Sequence, residues 1–395
     1  MLRILGTIVA AGLVTSTAAH DARTARHSSS KQPPPIDVAA LLAAAHGASP
    51  SICSLASQSL RGNNWGSVDA PVTPLGVTSD RESSRRVTDL TSADIARLLS
   101  GLGSDDACVR GLSIRLIGDQ SDTVVAPQLV MRLASSDASL RTVAALGLGL
   151  VRAEMAVDQL IGALRDATPG VRANAAWALG RMDAQAATGA LAAAVTGDAD
   201  ARVREMSAWA LGNADDSEAA RVTNALATAL RSDADPDVRE TAAWALGKSG
   251  NESVTDALAL AAGSDLSTKV RGTAAWALGH IDHGDARAVA ALTHLLNDDD
   301  TDTRLRAAWA LGQIGDASAA QSVRDALNRE TNTDVRRALI RAYVKSGGDS
   351  AQLMSSLLDS KDPETQEAAV RSLAGGRAFN PWPWPWPRPR PWPSE

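Results

Sequence analysis

The residues whose types and spacing could do chemistry are few. His280-Ile281-Asp282-His283-Gly284-Asp285 sets two imidazoles and two carboxylates within six residues, a donor set able to ligate zinc. Equivalent places elsewhere hold ordinary turn residues, Asn213-Ala214-Asp215 and Gln313-Ile314-Gly315-Asp316. A solvated turn therefore accounts for the cluster, and no metal or other cofactor is expected. The sequence has no His-Glu pair, no His-Glu-x-x-His, no Gly-x-Ser-x-Gly and no phosphate loop, so neither a nucleophile nor an acid–base pair stands out. An enzyme is the less favoured reading.

Binding residues are far more abundant. Five copies of Ala-Trp-Ala-Leu-Gly place Trp177, Trp209, Trp244, Trp276 and Trp309 at intervals of 32, 35, 32 and 33 residues. Indoles at a fixed period suit two roles. They can lie flat over neighbouring alanines as packing, or they can line a ligand groove, since Trp is enriched where binding energy concentrates. A second row, Arg110, Arg141, Arg172, Arg204, Arg239, Arg271, Arg304 and Arg336, recurs with the same period. Its structural reading has each guanidinium capping carbonyls or meeting an Asp of a neighbouring turn; anion binding would need arginines free of Asp.

A period of 20 to 50 residues is the signature of a solenoid, in which each unit buries its apolar face only against its neighbours. The unit Val-Arg-x-x-Ala-Ala-Trp-Ala-Leu-Gly fits Val171–Gly180. It extends upstream to Val109–Gly118 and Leu140–Gly149, and downstream to Val335–Val344 and Thr365–Ala374, giving nine units. An acid often stands three places before the Val, as at Asp106, Asp137, Asp200, Asp235, Asp300 and Asp362. Each unit reads as two short helices. Val157, Leu160, Ile161 and Leu164 give the first its helical stripe, Asp166–Gly170 turns, and the second runs from about Val171 to Gly180, a glycine suited to a left-handed cap. On that helix, at 100° per residue, Val, the two alanines four and seven on, and Leu share a buried stripe near 25°, while Trp falls at about 240°. The indoles are expected on the exposed face of the second helix, as a stripe of about 40 Å.

The frame resembles the HEAT-like repeats of the phycobilisome-lyase type, whose usual unit is Asp-x-x-Val-Arg-x-x-Ala-Ala-x-Ala-Leu-Gly. The resemblance covers about residues 90–374 and implies an all-α solenoid of about nine helix pairs whose second helices line the concave surface. It also implies a range of functions: bilin lyases, an iron hydroxylase, scaffolds and chaperone-like proteins. The hydroxylase relies on His-Glu dyads, which are missing here. Thr303, Tyr343, Thr365 and the lost glycine in the last two units depart from the pattern, as a C-terminal capping unit would.

The rest of the chain sorts by composition. Met1–Ala19 carries Arg3, the apolar run Ile4–Val14, and Thr17 and Ala19 before a cleavage point, which predicts a signal peptide and an exported, periplasmic or secreted, protein. Residues 20–35 read as a flexible linker, 36–90 as capping helices and a loop, 91–374 as the solenoid, and 375–395 as a tail expected to be disordered. No stretch elsewhere is long and apolar enough for a membrane span. The formal charge of −6 argues against nucleic acid as a partner. Cys53 and Cys108, the only cysteines, would bridge in an oxidising compartment, or stay as two separate buried thiols. In the tail, Trp382, Trp384, Trp386 and Trp392 alternate with prolines and flank Arg388 and Arg390, a pattern that favours polyproline II. It reads as a spacer, as a ligand for an aromatic groove in its own or another chain, or as a weak membrane-surface anchor. Together these features predict a protein- or peptide-binding scaffold or adaptor, with a role in envelope sensing suggested by analogy alone. The alternative is an enzyme or chromophore lyase without a recognisable site. Neither the partner nor the oligomeric state is encoded legibly.

Overall fold

The computed structural model describes residues 36–48, 90–213, 219–281 and 285–348, with the single residues 355, 363, 366 and 370. The expected signal peptide (residues 1–19) and linker (20–35), residues 49–89, most of the ninth unit and residues 375–395 lie outside this set. Among the described residues there are seventeen α-helices and no strand.

Helix α1 (Val38–Ala45) is followed by eight helix pairs: α2 (Ser92–Gly101) with α3 (Ala107–Ile117), α4 (Asp122–Leu133) with α5 (Ala138–Leu150), α6 (Val157–Ala163) with α7 (Pro169–Arg181), and α8 (Thr188–Gly197) with α9 (Ala201–Leu211). Next come α10 (Ala219–Ser232) with α11 (Pro236–Ser249), α12 (Thr255–Ser264) with α13 (Thr268–Ile281), α14 (Ala286–Leu295) with α15 (Thr301–Ile314), and α16 (Ala320–Arg329) with α17 (Thr333–Lys345). Within each pair the two helices pack on one another, and each second helix packs on the second helices of the adjacent units, as a solenoid requires.

Local chemistry sets the helix starts. The acid three places before the Val is the N-cap of the second helix. The Asp106 carboxylate accepts from Cys108 N and Val109 N, and Asp137, Asp200, Asp235 and Asp300 cap their helices likewise, each filling orphan donors of the first turn. Pro169 and Pro236 stand in the first turn of α7 and α11, where a missing N–H costs nothing. The core is the predicted stripe: Val171, Ala175, Ala178 and Leu179 are fully buried, against Leu160 of the first helix.

The helix ends differ from the sequence reading. Gly180 lies inside α7, which runs on to Arg181. The left-handed residues come three places after the motif glycine, at Arg152, Asp183, Gly250 and Gly315. The motif glycine has another task. A Cβ on Gly180 would stand 2.6 Å from Ala210 Cα and 3.0 Å from Trp209 Cζ3, and Gly149, Gly212, Gly247 and Gly279 meet the Ala and Trp of the following unit in the same way. Only glycine lets neighbouring second helices approach so closely. These helices touch one another more extensively than the first helices do, which makes them the inner layer of the stack.

At the N-terminal end, Leu42, Ala45 and Ala48 pack against Cys108, Val109 and Leu112 of α3, and Gly47 N donates to the Asp106 carboxylate at 2.7 Å. Helix α1 thus covers the open side of the first pair.

Candidate functional site

Counted from the repeat Val, positions two, six and ten lie at about 200°, 240° and 280° on the second helix, opposite the stripe that meets the first helix. Position six is the Trp. Its ring leans sideways over the glycine of the preceding unit, with Cζ3 of Trp177, Trp209, Trp244, Trp276 and Trp309 closing on Gly149, Gly180, Gly212, Gly247 and Gly279 in turn. The expectation of freely exposed indoles is therefore corrected at two places: Trp177 is 1 % and Trp244 2 % exposed. Trp209, Trp276 and Trp309 are half-buried.

Position ten decides the difference. The Arg181 guanidinium lies 5.0 Å from the Trp177 ring centroid and donates to Gly149 O at 3.1 Å. The Lys248 ammonium sits 5.4 Å from the Trp244 ring and donates to Asn213 Oδ1 of the preceding unit. Long cations reach over those rings, a contact favoured by the indole quadrupole, and complete their burial. Asn213 is too short to cover Trp209. His280 stacks on Trp276 with ring centroids 5.3 Å apart, and Gln313 occupies the place beside Trp309.

Position two carries the charge. Glu205 on α9 and Glu240 on α11 both stand there, half-buried. Burial pushes the Glu205 carboxyl up to about 7, with Asp237 adding to the effect and Arg202 only partly offsetting it. Burial also raises Glu240, countered by Lys269, by the Thr273 hydroxyl and by Arg306. Thr273 Oγ1 donates to Glu240 Oε1 at 3.2 Å and accepts from Arg306 Nη1 at 3.2 Å. Gly272 leaves the space: a Cβ there would lie 3.2 Å from Arg306 Nη1. This relay crosses α11, α13 and α15, and the Arg306 Nε at its end is buried without a hydrogen-bond partner. Along this row the charge runs from Glu205 on α9 and Glu240 on α11 to Arg306, one place further along α15, while the position-ten cations Arg181 and Lys248 lie over their own indoles. Glu205, outside the relay, makes no hydrogen bond or ion pair among the described residues.

The arginine row lies on another edge and is structural. Arg204 Nε and Nη2 donate to Asp233 Oδ2 and Oδ1 at 2.7 and 2.8 Å, while Nη1 donates to Asp198 O at 3.0 Å. Arg141–Asp166, Arg172–Asp198, Arg239–Asp265, Arg271–Asp298 and Arg304–Glu330 repeat this inter-unit pairing. Arg110 and Arg336 keep the carbonyl contacts, to Ser104 O and Glu330 O. Each turn is consequently clamped from two units. Hydrogen bonds from Arg141 lower the Asp166 carboxyl. At Asp198, Asp233, Asp265 and Asp298 burial opposes the charge, but the arginine and the turn N–H outweigh it and the carboxyls still fall.

The ladder was expected as arginines meeting an Asp of a neighbouring turn, but its acids were not singled out by number, and the pair Glu205/Glu240 was missed. The former were signalled by the Asp-x-Asp spacing of Asp198/Asp200, Asp233/Asp235 and Asp298/Asp300, the latter by a charged residue recurring two places after the Val.

Of the metal-like cluster, His280 stacks on Trp276, and Asp285 caps α14 and pairs with Arg287. Asp282 and His283 lie outside the described residues, among which no group of His, Cys, Asp and Glu is placed to hold a metal. Cys108 is buried and disulfide-bonded. Cys53 lies outside the described residues, as do Trp382, Trp384, Trp386, Arg388, Arg390 and Trp392.

Comparison with known proteins agrees with this architecture. HEAT repeats match residues 126–212, 188–266 and 257–344, more than half of the chain. The chain belongs to the HEAT-repeat family. No curated protein matches the sequence. Among solved structures, it is similar to YibA of E. coli (TM-score 0.50, 18% identity, covering 67% of this chain and 96% of that one). It is also similar to an engineered protein (0.47, 21%, 86% and 98%). A third is the CpcE–CpcF complex of phycocyanin lyase from Nostoc sp. PCC7120 (0.37, 24%, 63% and 94%). No helix among the described residues is long and apolar enough to cross a membrane.

Proposed function

We propose that the chain is an exported binding scaffold that holds an extended segment of a protein or peptide along its second-helix face. One observation carries this reading. Between units the packing positions barely change, whereas position ten, half-buried or exposed throughout, differs in all five tryptophan units: Arg181, Asn213, Lys248, His280 and Gln313. A face that only had to fold would need no such variety, and unlike side chains in series are what reading an extended ligand requires. The half-buried indoles of Trp209, Trp276 and Trp309 supply apolar anchors of the kind found at binding hot spots. The Met1–Ala19 pattern supports export; it is checked by the N-terminal mass of material recovered outside the cell, which should begin near His20.

The binding test is selection of peptides from a random library on the full chain, followed by titration of the selected peptide onto Trp209→Ala/Trp276→Ala. Loss of at least tenfold in affinity with the helical content intact supports the scaffold. Equal binding by both proteins would remove the second-helix face from function.

A further inference from the structure

The face and the C-terminal tail are complementary in both charge and length. Glu205 and Glu240 stand on adjacent second helices, α9 and α11, and among the described residues Glu205 makes no ion pair, with the nearby charge of Arg202 only partly offsetting its burial. Glu205 is half-buried between its neighbours, which raises its carboxyl to about 7, so its charge stands to gain from a further cation. The tail contains two arginines two residues apart, Arg388 and Arg390, with a single acid, Glu395, beyond them.

The lengths agree. In the sequence frame the ninth unit ends at Ala374. From there α11 is four units back and α9 five, about 40 and 50 Å at roughly 10 Å per unit. Gly375–Asn380 spans up to about 20 Å when extended. Polyproline II from Pro381 at 3.1 Å per residue adds about 25 Å to Arg388 and about 31 Å to Arg390. The arginines therefore arrive at about 45 and 50 Å, level with Glu240 and Glu205. On the way Trp382 and Trp384 would come to about 26 and 32 Å, beside α15 and α13, where Trp309 and Trp276 are half-buried.

We propose that the chain's own segment Pro381–Pro393 docks across the second-helix face, with Arg388 and Arg390 paired to Glu240 and Glu205 and its tryptophans against Trp309 and Trp276. This rests on the face being the binding surface, and it adds an occupant that an outside ligand must displace. Guanidinium forks suit the two carboxylates. Proline restricts the backbone toward the extended form, so a proline-rich segment loses less entropy on docking than a flexible one would.

The test uses the full chain with Arg388→Lys and Arg390→Lys, which keeps the charge and provides amines for carbodiimide coupling to carboxyls. Mass mapping should find the tail lysines joined to Glu205 or Glu240 within one chain, at a yield independent of protein concentration. Adding Glu205→Gln and Glu240→Gln, near-isosteric changes, should remove those links while the helical content stays. Links made only between copies, links spread over outer acids such as Asp158 and Asp325, or no tail links would each overturn the proposal. If the tail links elsewhere while the selected peptide still requires Trp209 and Trp276, only the tail's role falls and the scaffold reading stands.

Discussion

Replacing Gly180 by alanine tests the packing logic of the repeat, because two effects of opposite sign meet there. In an unobstructed helix interior the change stabilises by about 1 kcal/mol through backbone entropy. At Gly180 the new methyl would sit 2.6 Å from Ala210 Cα, 2.7 Å from Ala210 Cβ and 3.0 Å from Trp209 Cζ3. Carbon contacts prefer roughly 3.5–4.0 Å, so α7 and α9 must part by about 1 Å. Overpacking of this kind costs about 1–3 kcal/mol, and parting the helices also unseats the indole. Two of the three opposing atoms belong to Ala210, which has no rotamer to change. Steric cost wins, and the variant should be about 1–2 kcal/mol less stable. Gly312 in α15 supplies the control. Its nearest neighbour is Ala342 Cα at 3.4 Å, and the next unit carries Arg341 where the unit following Gly180 carries Trp209. Gly312→Ala should be neutral to about 1 kcal/mol stabilising. Urea unfolding followed by circular dichroism, with hydrogen exchange on α7 and α9 because an array need not unfold as one unit, reads both. Shifts of the same sign and size at the two glycines would refute the argument.

Four further outcomes are expected. Arg204→Ala leaves the largely buried Asp233 carboxylate without its fork and should cost about 2–4 kcal/mol in denaturant melts, with Arg204→Lys recovering only part because a single nitrogen cannot span both carboxylate oxygens and the Asp198 carbonyl as the planar guanidinium does. Acid should unfold the ladder. Asp166, Asp198, Asp233, Asp265 and Asp298 titrate below their ordinary value, so their contribution is complete above about pH 4 and is lost as pH falls through the lowered values. A melting temperature that stays flat down to pH 2 would contradict this. Glu205 has the reverse sign: raised to about 7, it weakens the fold as pH rises through 7. Glu205→Gln should therefore stabilise by up to about 3 kcal/mol at pH 8 and by much less at pH 5. Non-reducing peptide mapping of exported protein should recover Cys53 joined to Cys108, and two free thiols would reject the pairing.

Much of the fold was legible because a solenoid repeats its evidence. Nine noisy copies of one frame fix the period, the buried stripe and the N-cap acids, where a single copy would not. The motif glycine was misread because helix termination and close approach both select glycine; only the neighbouring unit shows that Gly180 faces Ala210. The indoles were placed on the correct side of the helix, but a helical wheel has no term for a ring leaning onto the next helix or for Lys248 closing over Trp244. Glu205 and Glu240 escaped notice for a related reason. A lone glutamate on a helix reads as solvated, and its partial burial arises only when α9, α11 and α13 stand side by side.

Hydroxyl-radical footprinting of the full chain, with and without a selected peptide, reports most directly on whether the second-helix face is the binding surface. Bound peptide should protect Trp209 from oxidation in the full chain, and Trp276 and Trp309 as well in a chain ending at Gly375, where no tail covers them, while Met131 and Met155, exposed beyond the second-helix face, react unchanged. Protection of Met131 and Met155 with no change at the three indoles would place binding elsewhere and contradict it.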